Sequence, residues 1–295
     1  MAPNHKFGLP IAVPVMPASG VFGYGDAYQD LVELSCLGAV VTNPVSLRPR
    51  RAARGQRIAA LQDSFVVHTG WPNLGLRAVI REFGETWARL PIPVIVHLLA
   101  TGPGEVAQSA AILSGVQNVT GVEIGFRADV TPAQALALLD AARTEGDLPV
   151  IAKVPFGRVR DLGPRLVEQG VDALTLTDPP RAVLPFARRG EEPGVARYMR
   201  GRLYGRALFP LLLSTFFEWA RKLGVPLIAC GGIGSPEDAL ACLTLGAAAV
   251  QVDALLWREP SLLMTIAQKL TEPKPAPESI RRMASPDGAQ TEVTE

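Results

Sequence analysis

The chain has 295 residues, 48% of them hydrophobic and 19% charged, which supplies a large core and excludes a disordered body. Lys and Arg number 29 against 28 Asp and Glu, so no global field favours nucleic acid or an anionic membrane. The longest apolar runs are too short to span a bilayer, the N-terminus lacks a signal-peptide pattern, and Cys36, Cys230 and Cys242 lack metal-ligand or CxxC spacing. Together these features predict buried free thiols and a cytoplasmic protein with no membrane partner.

Taken in chain order, eight Val/Ile/Leu-rich runs alternate with amphipathic stretches. Strand Ile11–Val15 precedes a helix over Asp26–Leu37, and Ala39–Thr42 precedes Leu74–Leu90. Val94–Leu99 then leads to Glu105–Leu113, Val122–Gly125 to Pro132–Thr144, and Val150–Val154 to Leu162–Gln169. The last three pairs are Ala173–Thr177 with Pro210–Leu223, Leu227–Cys230 with Pro236–Leu245, and Ala248–Val252 with Ser261–Leu270. Continuous rather than alternating apolar runs suit parallel strands buried on both faces. Thr131 before Pro132, and Ser235 before Pro236 with Asp238 three residues on, are helix-start signals. Eight β/α pairs at this spacing predict an α/β protein with a single (β/α)8 TIM barrel over residues 1–270, a doubly wound sheet being the rival. Residues 271–295 turn polar and are expected to form a disordered tail.

The stretch Pro226-Leu-Ile-Ala-Cys-Gly-Gly-Ile-Gly, running into Ser235-Pro-Glu-Asp-Ala, is the most informative. Late in a parallel barrel such a turn leaves backbone N–H groups free at a helix N-terminus, where the dipole favours a phosphate. Glycine at 231 and 232 lets the backbone approach the anion. The alternative is that both residues only end a strand tightly.

Five segments, in order, resemble the soluble dihydroorotate dehydrogenases, a family of flavin enzymes built on this barrel. They are Pro14-Val-Met-Pro-Ala-Ser-Gly-Val-Phe-Gly-Tyr-Gly, Gly70-Trp-Pro-Asn-Leu-Gly-Leu, Pro149-Val-Ile-Ala-Lys-Val, Gly201-Arg-Leu-Tyr-Gly-Arg-Ala-Leu-Phe-Pro and the Gly-Gly-Ile turn. The resemblance runs from about Gly8 to Pro260 and implies FMN as cofactor, across the C-terminal mouth of the barrel. It places Ala18, Ser19 and Gly20 beside the flavin ring and Lys153 near its N1/O2 edge, where a cation stabilises the reduced flavin. It assigns Gly205, Gly231 and Gly232 to the phosphate and ribityl end, and Gly70, Asn73 and Arg127 to the substrate pocket. For Lys153, a structural ion pair and a Schiff-base role are the alternatives.

The chain departs from that family where the substrate is read. Asn43 follows Thr42 where the family has lysine, and Val67 replaces an asparagine. The family's Glu-Leu-Asn-x-Ser-Cys-Pro-Asn is here Glu123-Ile-Gly-Phe-Arg-Ala-Asp-Val, so an asparagine becomes Gly125 and the cysteine base becomes Ala128. The Asn-Thr or Asn-Ser pair becomes Asp178-Pro179, and the phosphate-binding Gly-Thr becomes Asp253-Ala254. Arg202 or Arg206 could neutralise Asp253, or Asp253 could pair with such an arginine and fill the phosphate site. His68 is the nearby side chain with an unperturbed pKa suited to acid–base work, and His97 is core or flavin-adjacent. The expectation is an FMN-dependent oxidoreductase of the CH–CH donor type acting on a small substrate other than dihydroorotate, an anionic one being among the candidates. The alternative is a non-catalytic barrel serving as a binding or assembly subunit. A homo-oligomer is compatible with either.

Overall fold

The computed structural model describes residues 11–272 apart from 26, 29, 128 and 187–196. Its centre is a ring of eight parallel strands: β1 (Val15–Pro17), β2 (Val40–Val41), β5 (Val94–Leu99), β6 (Val119–Gly125), β7 (Val150–Val154), β8 (Ala173–Leu176), β11 (Leu227–Cys230) and β12 (Ala249–Val252). The hydrogen-bonded order is β1-β12-β11-β8-β7-β6-β5-β2. The ring closes where Gly38 N–H donates to the Val15 carbonyl at 2.8 Å. The barrel expected from the alternating runs is therefore the observed architecture.

Among the described residues seven helices surround it: α1 (Leu76–Arg89), α2 (Pro103–Leu113), α3 (Pro132–Glu145), α4 (Val159–Glu168), α5 (Phe209–Trp219), α6 (Pro236–Thr244) and α7 (Leu262–Thr271). The start signals work as read. Thr131 and Gln134 form a reciprocal capping box on α3, and Ser235 Oγ accepts from Asp238 N–H at the start of α6. Cys230 and Cys242 are buried free thiols, whereas Cys36 is partly exposed. No helix among the described residues is long and apolar enough to cross a membrane. From residue 273 onward, the expected tail lies outside the described residues.

Two of the expected elements are corrected. The first strand begins at Val15 rather than Ile11, because Pro14 has no N–H to give and contributes only its carbonyl, to Val250. The stretch expected as a helix from Asp26 to Leu37 contains turns and one 3-10 turn at Leu34–Cys36, with Asp26 itself outside the described residues. Tyr28 stacks on Phe22 with ring centroids 4.7 Å apart, and Glu33 N–H turns to Met264 Sδ, so tertiary contacts override the local pattern.

A four-stranded antiparallel sheet, absent from the sequence expectations, is built from two insertions that each follow a barrel strand. β3 (Ile58–Ala60) and β4 (Ser64–Val67) come after β2; β9 (Arg181–Phe186) and β10 (Arg197–Gly205) come after β8. The order is β3-β4-β10-β9. Loops that follow barrel strands gather at the C-terminal face, so this sheet forms part of the mouth.

Side chains alternate along each strand, and this sorts the barrel interior into layers. Met16, Val41, Ile95, Ile151, Ala173, Ile228 and Ala249 pack together as an apolar plug, all nearly or fully buried. Two residues further along the strands stand His97, Lys153, Thr175, Cys230 and Gln251; Glu123 stands likewise above Gly121. The plug fixes the floor, and the polar layer above it faces the mouth.

Candidate active site

Glu123 is fully buried and accepts from two neighbours across the barrel. Lys153 Nζ donates to Glu123 Oε1 at 3.2 Å and to Gln251 Oε1 at 2.8 Å. Gln251 Nε2 donates back to Glu123 Oε1 at 3.3 Å, so β6, β7 and β12 are tied by one closed triangle. His97 Nδ1 lies 3.5 Å from Glu123 Oε2, and its backbone N–H donates to Thr42 Oγ1. Burial alone would raise the Glu123 carboxyl, but the Lys153 ammonium with the His97 and Gln251 contacts lowers it to about 2. Burial opposes the Lys153 charge, yet Cys230, Glu123 and Asp253 outweigh it and raise its pKa. Burial pushes the Cys230 thiol up to about 11, so at neutral pH the thiol is uncharged and the Glu123 carboxylate is the anion that acts on Lys153. His97 is lowered by burial, with Lys153 adding to the effect and Glu123 opposing it.

A cavity of about 970 Å³ opens above this layer. Ser19, His97, Gly125, Lys153 and Thr177 contribute to its wall from the barrel side, and Tyr204 from β10 of the antiparallel sheet. Arg50, Trp71, Asp178 and Arg202 contribute from the insertions and loops. The Asp178 carboxyl is half-buried and raised by that burial, which Arg202 and the Gly157 N–H partly offset. Such a cavity, with a few convergent polar groups on rigid strand ends, is of the size that holds a cofactor and a small substrate.

The sequence-predicted residues fall into three groups. Ala18, Ser19 and Gly20 follow β1, with Ala18 N–H bonded to Val252 O; Ser19 joins Lys153 in the cavity wall. Gly205 and Gly232 lie against each other: a Cβ on Gly232 would stand 2.8 Å from the Gly205 carbonyl oxygen. Neither they nor Gly231 belong to the cavity wall. Gly70 and Asn73 frame Trp71. Asn73 Nδ2 donates to Trp71 O and Ser46 Oγ, its Oδ1 accepts from Gly75 N–H, and a side chain on Gly70 would meet the Ala53 backbone. These contacts hold Trp71 at φ +52, a conformation that a large residue adopts only under constraint, with nearly half its surface exposed.

Arg127 lines the cavity, but its guanidinium is engaged bidentately by Asp129 at 2.8 Å, so its charge is already matched. His68 is exposed on the antiparallel sheet and not part of the wall. Ala128 lies outside the described residues. Neither arginine expected near Asp253 reaches it. Arg202 donates to Pro179 O, and Arg206 pairs with Asp238 at 3.2 Å. Asp253 instead accepts from the backbone N–H groups of Gly232 and Leu255. Sequence reasoning passed over Glu123 and Gln251 as partners of Lys153, and over Trp71. The signal for the first two was a polar residue two places beyond an inward-facing apolar one in an otherwise apolar strand.

Residues 2–125 and 186–273 match the family model described as dihydroorotate dehydrogenase. The chain belongs to the dihydroorotate dehydrogenase family. Across 274 residues it is 33% identical to the Pelobacter propionicus dihydroorotate dehydrogenase B (NAD(+)) catalytic subunit, covering 88% of this chain and 89% of that protein. The protein of the same name from Endomicrobium trichonymphae is 29% identical over 269 residues, 88% of this chain and 87% of its own. The fold also matches the Eimeria tenella DHODH solved with ferulenol, at a TM-score of 0.71 and 17% identity, covering 87% of this chain and 80% of the other. The family's enzymes are oxidoreductases and FMN-dependent flavoproteins.

The wall of the cavity fits the ring end of FMN. Ser19 Oγ is buried there with no hydrogen-bond partner among the described residues, so a ligand heteroatom is the group that would satisfy it. Lys153 supplies the fixed cation at a strand end. At the phosphate end, the Gly232 N–H is already bonded to Asp253.

Proposed function

We propose that this flavin oxidoreductase acts on a small molecule other than dihydroorotate. The observation that carries the reading is the wall formed by Gly125 and His97. A Cβ on Gly125 would stand 2.8 Å from His97 Nε2, so the imidazole occupies space that a side chain at 125 would need. By the resemblance, an asparagine at that place reads the pyrimidine, and its loss leaves substrate polar groups without partners. Asp178 supports the same reading, since a carboxylate there repels an anionic substrate where an amide would donate to it. Alanine at 128 has no proton-accepting group, and loss of a general base removes about two to four orders of magnitude in rate.

In this reading FMN, when bound, supplies the two-electron acceptor for hydride from the substrate. Ser19 and Lys153 hold its ring end, with Glu123 and Gln251 orienting the Lys153 ammonium. Glu123 beside Nδ1 keeps a proton on that atom of His97 and leaves Nε2 as the acceptor, making His97 the base candidate for the rebuilt pocket. Trp71 offers a planar apolar face at the entrance.

The second reading takes its substrate from the relatives, which are named dihydroorotate dehydrogenase B (NAD(+)) catalytic subunits. Steady-state assays of the FMN-loaded chain with dihydroorotate separate the two when fumarate, a quinone and NAD are each supplied as acceptor. The proposal expects no turnover above the flavin-only control with any of them. Turnover abolished by His97→Ala or His68→Ala would support the second reading and identify the base.

A further inference from the structure

The loops after the seventh and eighth barrel strands, β11 and β12, are where barrels of this kind commonly receive a phosphate. Here three of their N–H groups are spent on the chain's own carboxyl groups. Gly232 N–H donates to Asp253 Oδ2 at 3.3 Å and Leu255 N–H to Asp253 Oδ1 at 3.4 Å. Gly234 N–H donates to Asp238 Oδ2 at 2.9 Å, and the same Asp238 holds the Arg206 guanidinium. Asp253 is only 3% exposed, so its carboxylate is enclosed with those donors rather than turned to solvent. The backbone around it has little room to yield. Gly232 sits at φ +71, and a Cβ there would stand 2.5 Å from Phe209 N. The cavity stops short of this place, for its wall includes Ser19, Lys153 and Tyr204 but not Gly205, Gly231 or Gly232.

We infer that Asp253 takes the place of the flavin's phosphate, so that this chain holds the flavin by its ring and gains no affinity from the phosphate of FMN. The inference rests on the flavoprotein reading and deepens it by naming what sets cofactor selectivity. The Asp253 carboxyl group and a phosphate cannot both accept from the Gly232 and Leu255 N–H groups. Lys153, the cation that acts on Asp253, is already shared with Glu123 and Gln251. FMN therefore binds only by displacing or repelling Asp253, whereas riboflavin, which carries the same ring and ribityl chain, meets no such opposition.

Titration of the flavin-stripped full-length chain with FMN and with riboflavin, read by quenching of flavin fluorescence, tests this. The wild type binds riboflavin as tightly as FMN or more tightly, the order expected when the phosphate adds no net contact. Asp253→Gly opens the cradle and tightens FMN by about tenfold or more, with riboflavin unchanged; Asp253→Asn, which keeps the shape without the charge, moves FMN in the same direction by less. Unchanged riboflavin affinity in both variants also shows that the ring site is still folded. A wild type that prefers FMN by about a hundredfold, or variants that weaken FMN selectively, would overturn the inference. Absence of binding by either flavin to every variant would remove the flavoprotein reading, and this inference with it.

Discussion

The His97 ring lies against the backbone of Gly125, its Nε2 2.8 Å from where a Cβ of residue 125 would be built. His97 stands within β5 and Gly125 ends the adjacent β6, in a register that pairs Leu99 with Gly125 and His97 with Glu123. In the proposed reading, the glycine that removes a substrate-reading side chain is thus the one that admits the imidazole.

Gly125→Ala should therefore be felt by His97. The added methyl forces the ring out of its contact with Glu123, an overpacking cost of about 1–3 kcal/mol. Urea denaturation gives the stability change, and the pH titration of the His97 ring by NMR gives the local one. Once freed from burial and from Lys153, His97 titrates closer to its ordinary value, upward from its lowered pKa. An unchanged His97 titration in a stable Gly125→Ala protein would mean that the ring does not depend on that glycine.

The Lys153–Glu123 pair should show strong coupling. Lys153→Met leaves the Glu123 carboxylate buried at 0% exposure without its cation, and breaking such a pair costs about 3–5 kcal/mol. Adding Glu123→Gln to it removes the stranded charge, so the double variant is more stable than Lys153→Met alone. Additive losses in the double-mutant cycle would show that the two charges act independently.

Acid should expose the same carboxylate. The Glu123 pKa falls from 4.5 to about 2 on folding, so its contribution is complete above pH 4.5 and is lost as pH falls towards 2. The depression corresponds to roughly 3 kcal/mol at neutral pH. Asp253, raised by burial, acts in the opposite sense, so the difference between wild type and Glu123→Gln isolates the glutamate. That difference narrows between pH 4.5 and 2 when stability is followed by denaturant titration. On the alkaline side, the raised Lys153 keeps its contribution below pH 10.5 and loses it as pH rises through the folded value. A wild-type advantage that stays constant across the acid range would place the charge elsewhere.

The barrel was legible because parallel strands buried on both faces must be apolar throughout, and runs such as Val94–Leu99 and Val150–Val154 have no other use. The antiparallel sheet was not, because β3 and β4 are only three and four residues long and β10 is rich in arginine. In β10, Met199 is buried while Tyr198 is 61% exposed, an alternation of period two hidden among Arg197, Arg200 and Arg202. Lys153 was legible through its segment's resemblance. Its partners come from β6 and β12, and nothing local in either strand says which strands will be neighbours across the ring. Asp253 was legible as a misfit at the phosphate end, but its partners are backbone N–H groups, which a sequence does not display.

The most direct test of the account is a single-turnover mixing experiment. Dihydroorotate is added without oxygen to the FMN-loaded chain, and the absorbance of the oxidised flavin is followed, with dithionite as the positive control. The account predicts that dithionite bleaches the flavin while dihydroorotate leaves it oxidised, because the proton acceptor and the amide contacts are missing from positions 128, 67 and 125. Rapid bleaching by dihydroorotate, at a rate that could sustain turnover, would contradict it and return the chain to the substrate carried in its relatives' names.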